Sequence, residues 1–284
     1  MRNRLYRSGT ELLKEIQSTG LGEKGVAIWY LGQSSMMVKY LDTVLLFDPH
    51  LEDSLSKREV NPSIRNYPSP LDPALLDFVD YVLITHNHAD HLEGATVTKI
   101  AAHNRKVQFV VPDPERDALR ELAIPAEQIV GAKSDQAIQL GGLDCMPVAA
   151  AHYEIRRDPA GSAFALGYIV KMGPVTLYHS GDTIVYPELP QILKESGIDV
   201  AMLPINGRDW VRDAQGIIGN TNFKEAADLC DAIHADLFIP MHFDLYEHNT
   251  ENPGYLVDYL YKRHPGMRYH IFQPGERYIY LKDR

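Results

Sequence analysis

The sequence predicts an α/β fold, on three observations. Short β-branched and aromatic runs, among them Val26 to Leu31, Thr43 to Phe47, Phe78 to Ile84 and Val107 to Val111, read as buried strands, and stretches such as Gly94 to Asn104 and Pro187 to Ser196 carry helical spacing between them. One run leads directly into Thr85-His86-Asn87-His88-Ala89-Asp90-His91, which places a dense polar cluster on the loop at a strand end. The chain, with 284 residues of which 45% are hydrophobic, is long enough to bury a large core.

In chain order, Leu12, Leu13 and Ile16 give Thr10 to Ser18 the spacing of a short amphipathic helix, followed by Gly20, Gly22 and Gly25. Residues 1–25 are thus expected to form an N-terminal helical extension and 26–284 a single domain, since the ligand-type residues span both halves. Val26 to Leu31, Ser35 to Tyr40 and Thr43 to Phe47 form an antiparallel meander ending at Asp48-Pro49-His50. Residues 51–72 carry Pro62, Pro68 and Pro70 with Lys57, Arg58, Arg65 and Tyr67; they read as an irregular loop, either a lid or a solvated connector. Beyond the polar cluster, a helix over Gly94 to Asn104, a strand over Val107 to Val111 and a helix over Pro114 to Leu122 continue the α/β alternation.

Gln136 to Leu140 and Leu143 to Ala149 form a hairpin around Gly141-Gly142, followed by a turn over Glu154 to Gly161 whose Arg156 and Arg157 face an anion or solvent. Strands over Ala163 to Met172, Val175 to His179, Val200 to Pro204 and Leu237 to Pro240 alternate with helices over Pro187 to Ser196, Phe223 to His234 and Tyr255 to Lys262. Asn220-Thr221-Asn222 can cap the second of these helices. Tyr269 to Phe272 and Arg277 to Leu281 are expected to close the second sheet as a hairpin around Pro274-Gly275.

Three imidazoles and a carboxylate within six positions ask for metal. Neutral imidazole and carboxylate suit Zn, Mn, Fe or Co, and one ion could not use all four groups without strain, so the spacing points to two adjacent ions. The motif H-x-H-x-D-H after a buried strand resembles the signature of the metallo-β-lactamase fold hydrolases. That resemblance implies a histidine, a bridging aspartate and a last histidine at later strand ends, and His152, Asp182 and His242 stand there. It implies His86, His88 and His152 for a first ion, Asp90, His91 and His242 for a second, and Asp182 between them, with Asp90 and Asp182 central to catalysis. Asp48 is then expected to hold the ligand loop, and His179 to sit behind the ions or in the core. The implied architecture is the αββα four-layer sandwich, which periodicity alone does not separate from a doubly wound sheet.

Ile28-Trp29-Tyr30-Leu31-Gly32, Leu177-Tyr178-His179-Ser180-Gly181-Asp182 and Phe238-Ile239-Pro240-Met241-His242 are most similar to the branch containing L-ascorbate-6-phosphate lactonase. The resemblance runs from about Val26 to the C-terminus and implies hydrolysis of a small ester-type substrate, such as a sugar-phosphate lactone, by a metal-bound hydroxide. His152 departs from the carboxylate of that branch, and more nitrogen ligation favours Zn over Mn. Phosphodiesterase action and a metal-binding module without turnover are the alternatives. Arg208, Trp210 and Arg212, with Asn220 at the start of the following helix, are the expected grip on a small anionic substrate.

A net charge of −10 argues against nucleic acid or an anionic membrane as partner. Cys145 and Cys230 form no C-x-x-C pattern, so neither a disulfide framework nor a thiolate site is expected. No G-x-S-x-G elbow offers a serine nucleophile. With no apolar h-region or membrane-length run, a cytoplasmic protein is expected, and a homo-oligomer stays open.

Overall fold

The computed structural model describes residues 5–59 and 62–282. Two sheets of seven strands stack face to face. The first has β1 (Gly25–Gly32), β2 (Ser35–Tyr40), β3 (Thr43–Phe47), β4 (Tyr81–Leu83), β5 (Gln108–Pro112) and β6 (Ile129–Ala132) side by side, with β14 (Arg277–Leu281) on the far edge of β1. The second runs β7 (Ile138–Leu140), β8 (Leu143–Ala149), β9 (Leu166–Met172), β10 (Val175–His179), β11 (Val200–Pro204), β12 (Leu237–Met241) and β13 (Arg268–Tyr269). In each sheet an antiparallel meander passes into parallel strands, at β3 to β4 and at β10 to β11. Parallel neighbours need crossover connections, and these carry helices to the outer faces.

Side chains alternate across a strand, so each strand here serves two cores. Val26, Ile28 and Tyr30 point between the sheets, where they meet Tyr168, Val170, Leu177, Met202 and Ile239. Ala27, Trp29 and Leu31 point outward onto helices α1 (Gly9–Ser18) and α2 (Gly94–His103), through Leu12, Ile16, Val97 and Ile100. A short helix α3 (Arg116–Glu121) adds Leu119 to this layer. On the other side, Tyr178, Ala201, Leu203 and Phe238 pack on α4 (Leu189–Ser196), α6 (Phe223–Ala232) and α7 (Pro253–Arg263). A short α5 (Trp210–Ala214) lies in the connection before α6. The layers are αββα, as the sequence resemblance implied. Burial on both faces explains why β1 reads as a continuous apolar run, each large side chain contributing about 1.5–3 kcal/mol.

Two expectations are corrected by packing. Leu12 and Ile16 are fully buried against the first sheet, so α1 belongs to the outer layer and is not an appendage; residues 1–4 of that extension lie outside the described residues. β13 and β14 do not form a hairpin in the second sheet. β13 pairs parallel to β12, and the chain then crosses at Pro274-Gly275, where Gly275 N–H bonds to Tyr30 O at 2.7 Å, so that β14 pairs antiparallel with β1. Strand β6 was not expected from the sequence.

No described helix is long and apolar enough to cross a membrane.

Candidate metal centre

The expected ligands come together where strands from both sheets end. His86, His88, Asp90 and His91 follow β4, His152 follows β8, Asp182 follows β10 and His242 follows β12. His86, His88, His152 and Asp182 each offer a ligand atom within 4.8 Å of the others, and so do Asp90, His91 and His242. His86 Nε2 lies 2.9 Å from His88 Nδ1 and 3.4 Å from His152 Nε2. His242 Nε2 is 3.3 Å from Asp90 Oδ2 and 3.3 Å from Asp182 Oδ2. The other Asp182 oxygen, Oδ1, lies 3.3 Å from His91 Nε2, and Oδ2 also lies 3.7 Å from His152 Nε2, so one carboxylate touches both groups.

Hydrogen bonds behind the cluster decide which ring atoms face it. Asp48 is fully buried; its Oδ1 accepts the Thr85 N–H at 2.7 Å, and its Oδ2 accepts the Thr85 hydroxyl and His91 Nδ1–H, each at 2.7 Å. His91 therefore presents Nε2 forward. His86 Nδ1 meets Thr85 Oγ1 at 2.9 Å, which likewise leaves its Nε2 for the cluster. His179 points away: its Nε2–H donates to Ser34 O at 2.9 Å, its Nδ1 accepts Gly181 N–H at 3.2 Å, and its ring stacks on Phe47. It steers the backbone that carries Asp182.

Asp48, His242 and Gln33 all have φ in the left-handed region, at 42°, 56° and 58°. Such backbone strain gathers where geometry is held for function. Gln33, which sequence reasoning missed, supports the second group twice: its carbonyl accepts His242 N–H at 2.8 Å, and its amide donates to Asp90 Oδ2 at 2.8 Å. Gly181 is also left-handed, at φ 59°, and a Cβ there would come within 2.6 Å of Thr85 Cβ. Gly181→Ala should therefore push Asp182 and Thr85 apart, lowering both bound metal and melting midpoint; a variant with parental metal content would remove the close-approach argument.

Charge in the site suits a cation. Burial holds His86, His88 and His152 below the usual imidazole range, so they stay neutral with free lone pairs. Burial by itself would raise Asp90 and Asp182, but His91 and His242 hold the Asp90 carboxyl, and His242 and His91 the Asp182 carboxyl, well below the carboxylate range. Burial opposes charge on His91 as well, yet Asp182, Asp48 and Asp90 keep its imidazole well above its ordinary value, and Asp182 and Asp90 raise that of His242 against the same burial. Protons on these two rings stand where a divalent cation would balance the carboxylates. His91 Nε2 and Asp182 Oδ1 are also buried without a hydrogen-bond partner. An orphaned buried polar atom costs about 1–3 kcal/mol, and atoms placed as ligands to a shared cation recover that cost. The donor set fits metal.

Two cavities flank the cluster. One, of about 420 Å³, is lined by His88, Asp90, Asp182 and His242 together with Leu55, Arg58, Ser63 and Tyr246. The other, of about 220 Å³, lies beside His86, His88 and His152, with Arg156, Glu115 and Phe164 in its wall and Arg156 over the Phe164 ring. Ile218 borders both.

None of the four expected substrate contacts lines either cavity, which corrects the sequence reading. Arg208 forms a two-pronged ion pair with Glu225 and bonds to Asn220 O, while Arg212 is held by Asp209 and by Asn206 O. Trp210 is 79% exposed, and buried Asn220 donates to Asn206 Oδ1. The cations beside the cluster are instead Arg156, from a basic pair visible in the sequence, and Arg58, from the 51–72 loop. Arg157, its neighbour, bonds to Ser134 and Gly161.

A family profile described as the beta-lactamase superfamily domain matches residues 43–243. The chain belongs to the metallo-β-lactamase superfamily. Within this superfamily, a metal-dependent hydrolase of Caldivirga maquilingensis is 25% identical over 254 residues, covering 87% of this chain and 95% of the relative. One of Sulfolobus acidocaldarius is 28% identical over 221 residues, 76% of this chain and 88% of the relative. A solved metallo hydrolase from Ignicoccus hospitalis has a TM-score of 0.68 at 19% identity, covering 91% of this chain and 100% of that one. The superfamily's sandwich is the fold described above.

Proposed function

We propose that the protein is a hydrolase of small ester-type substrates, most specifically lactones such as a sugar-phosphate lactone, working with two divalent ions, Zn or Mn. The observation that carries this reading is the convergence of seven ligand-type side chains in two groups sharing Asp182, with His91 Nε2 and Asp182 Oδ1 lacking any other partner. His86, His88 and His152 would hold one ion, Asp90, His91 and His242 the other, with Asp182 between. Bound there, the ions would supply the Lewis acidity that makes water nucleophilic near neutral pH and polarises the electrophile.

The chain's own residues do the rest. Asp48, Thr85 and Gln33 fix the donor atoms before substrate arrives, so little reorganisation is left for the reaction. The two cavities flank the cluster, so a substrate spanning them would meet Phe164 and Arg156 on one side and Tyr246 and Arg58 on the other. Kinship to metal-dependent hydrolases supports turnover over a metal-binding module without it. Small cavities support a small substrate, while phosphodiesterase action uses the same groups.

The test is a panel of lactones, esters and phosphodiesters with protein stripped by chelator and reloaded separately with Zn and Mn. Stripped protein should be inactive and melt at a lower temperature, and reloading should restore both properties. Reloaded protein inert toward every substrate would sink the reading. For an anionic substrate, Arg156→Ala should raise KM by roughly 10-fold, the scale of one charge-assisted hydrogen bond, and spare a neutral analogue. Arg208→Ala should leave KM alone and lower the melting midpoint, because its partner is Glu225.

A further inference from the structure

Behind the wider cavity runs a buried line of groups that metal binding does not use. Glu93, His50 and Tyr246 are 1%, 0% and 3% exposed. Glu93 Oε2 lies 3.1 Å from His50 Nδ1, and His50 Nε2 contacts the Tyr246 hydroxyl. The carboxylate is fixed by Thr96 Oγ1 at 2.6 Å, Glu52 N at 2.8 Å and the Ser54 hydroxyl. His50 is held through its main chain, its N–H donating to Ser35 Oγ and its carbonyl accepting from Arg65 Nη1. Tyr246 is the outer member, and it lines the cavity beside Asp90, Asp182 and His242. A carboxylate and an imidazole buried this deeply are costly unless paired; the loop donors account for Glu93, while the His50 ring has only Glu93 and Tyr246 beside its nitrogens.

We infer that Tyr246 is the proton donor to the leaving oxygen, with His50 and Glu93 as the positioning residues that hold its hydroxyl. This rests on the hydrolase reading above. As water adds to the carbonyl carbon and the carbon–oxygen bond to the leaving group breaks, the Tyr246 hydroxyl proton passes to that oxygen. His50 Nε2, against the Tyr246 hydroxyl, and Glu93 behind it hold the phenol oxygen in place. Of the attacking water's two protons, one stays with the acid product and the other returns through the cavity to the Tyr246 oxygen. Ester and water become acid and alcohol, with no change of oxidation state. Burial raises the Tyr246 phenol above its usual range, which favours the protonated form that can donate.

The experiment compares parental protein with Tyr246→Phe and His50→Gln, all metal-loaded. Two ester series are used, one with p-nitrophenolate as leaving group and one with simple alkoxides or lactones. A positioned proton donor is worth about 10²-fold or more, so Tyr246→Phe should lose that much kcat on alkoxide leaving groups. On p-nitrophenyl esters, whose leaving group needs no proton, it should stay near the parental rate; His50→Gln should show the same pattern, less strongly. Equal loss on both series would make Tyr246 structural, and no loss on either would remove it from the reaction. A second readout needs no turnover: calorimetric binding of inorganic phosphate to the loaded protein should weaken about 10-fold in Tyr246→Phe at unchanged metal content, since one charge-assisted hydrogen bond is gone. Unchanged phosphate binding overturns the inference, whereas a parental protein that hydrolyses nothing but binds phosphate through Tyr246 overturns only the hydrolase reading.

Discussion

Replacing Asp182 by alanine is expected to cut hydrolysis by at least about 10³-fold, the scale on which loss of a principal electrostatic group acts, and to lower bound metal, while the protein stays folded. The carboxylate is 4% exposed and lies within 3.7 Å of His91, His152 and His242, so it contacts both ligand groups at once. Its Oδ1 is buried with no hydrogen-bond partner among the described residues. The fold should therefore survive its removal. Asp182→Asn keeps the shape and halves the ligand capacity, so it should fall between parent and alanine. The checks are turnover, metal analysis by mass spectrometry and a circular dichroism melt on the same preparations. Near-parental activity in fully loaded Asp182→Ala would refute the bridging role.

Asp48→Ala should do the opposite kind of damage. Asp48 lines neither cavity beside the cluster, yet it accepts three hydrogen bonds, and alanine would orphan the buried Thr85 N–H and His91 Nδ1–H together. At about 1–3 kcal/mol for each orphaned group, the loss is roughly 3 kcal/mol, which in a chain of this size lowers the melting midpoint by about 6–12 °C. His91 would also lose the partner that fixes its tautomer, and metal affinity should drop about 10–100-fold. Chelator competition and thermal melts measure the two effects separately. A variant that melts like the parent would mean that Thr85 and His91 find other partners.

What could be read from the sequence was what is local in it. The loop Thr85 to His91 carries four ligand-type groups in one turn of chain, and β1 to β3 are runs whose burial on both faces makes them continuously apolar. The later ligands His152, Asp182 and His242 were placed by resemblance, and the structure brings all three to that loop. Partnerships across the fold were not legible. Arg208 and Arg212 flank a tryptophan in a polar loop and look available, but Glu225 in the first turn of α6 and Asp209 at the α5 cap take their charge. His50 reads as a strand-end loop residue, and only the fold shows it sealed beneath Tyr246 and Glu93. For β14, the local pattern gives a strand and leaves its sheet undetermined, because choosing β1 over β13 depends on a neighbour some 250 residues away.

The metal centre draws four of its groups from the loop after β4 and three from the ends of β8, β10 and β12 in the opposite sheet. This division has a consequence for the order of events as the chain folds. The meander β1 to β3 and the hairpin β7–β8 join near neighbours and can form early, whereas bringing His242 to Asp90 closes a loop of some 150 residues and must await docking of the two sheets. Metal capture by all seven groups would therefore be a late event, a report that the sandwich has closed. In refolding from denaturant, strand signal should return before the spectrum of a bound cobalt probe, and the gap between the two times measures how long the halves exist unjoined.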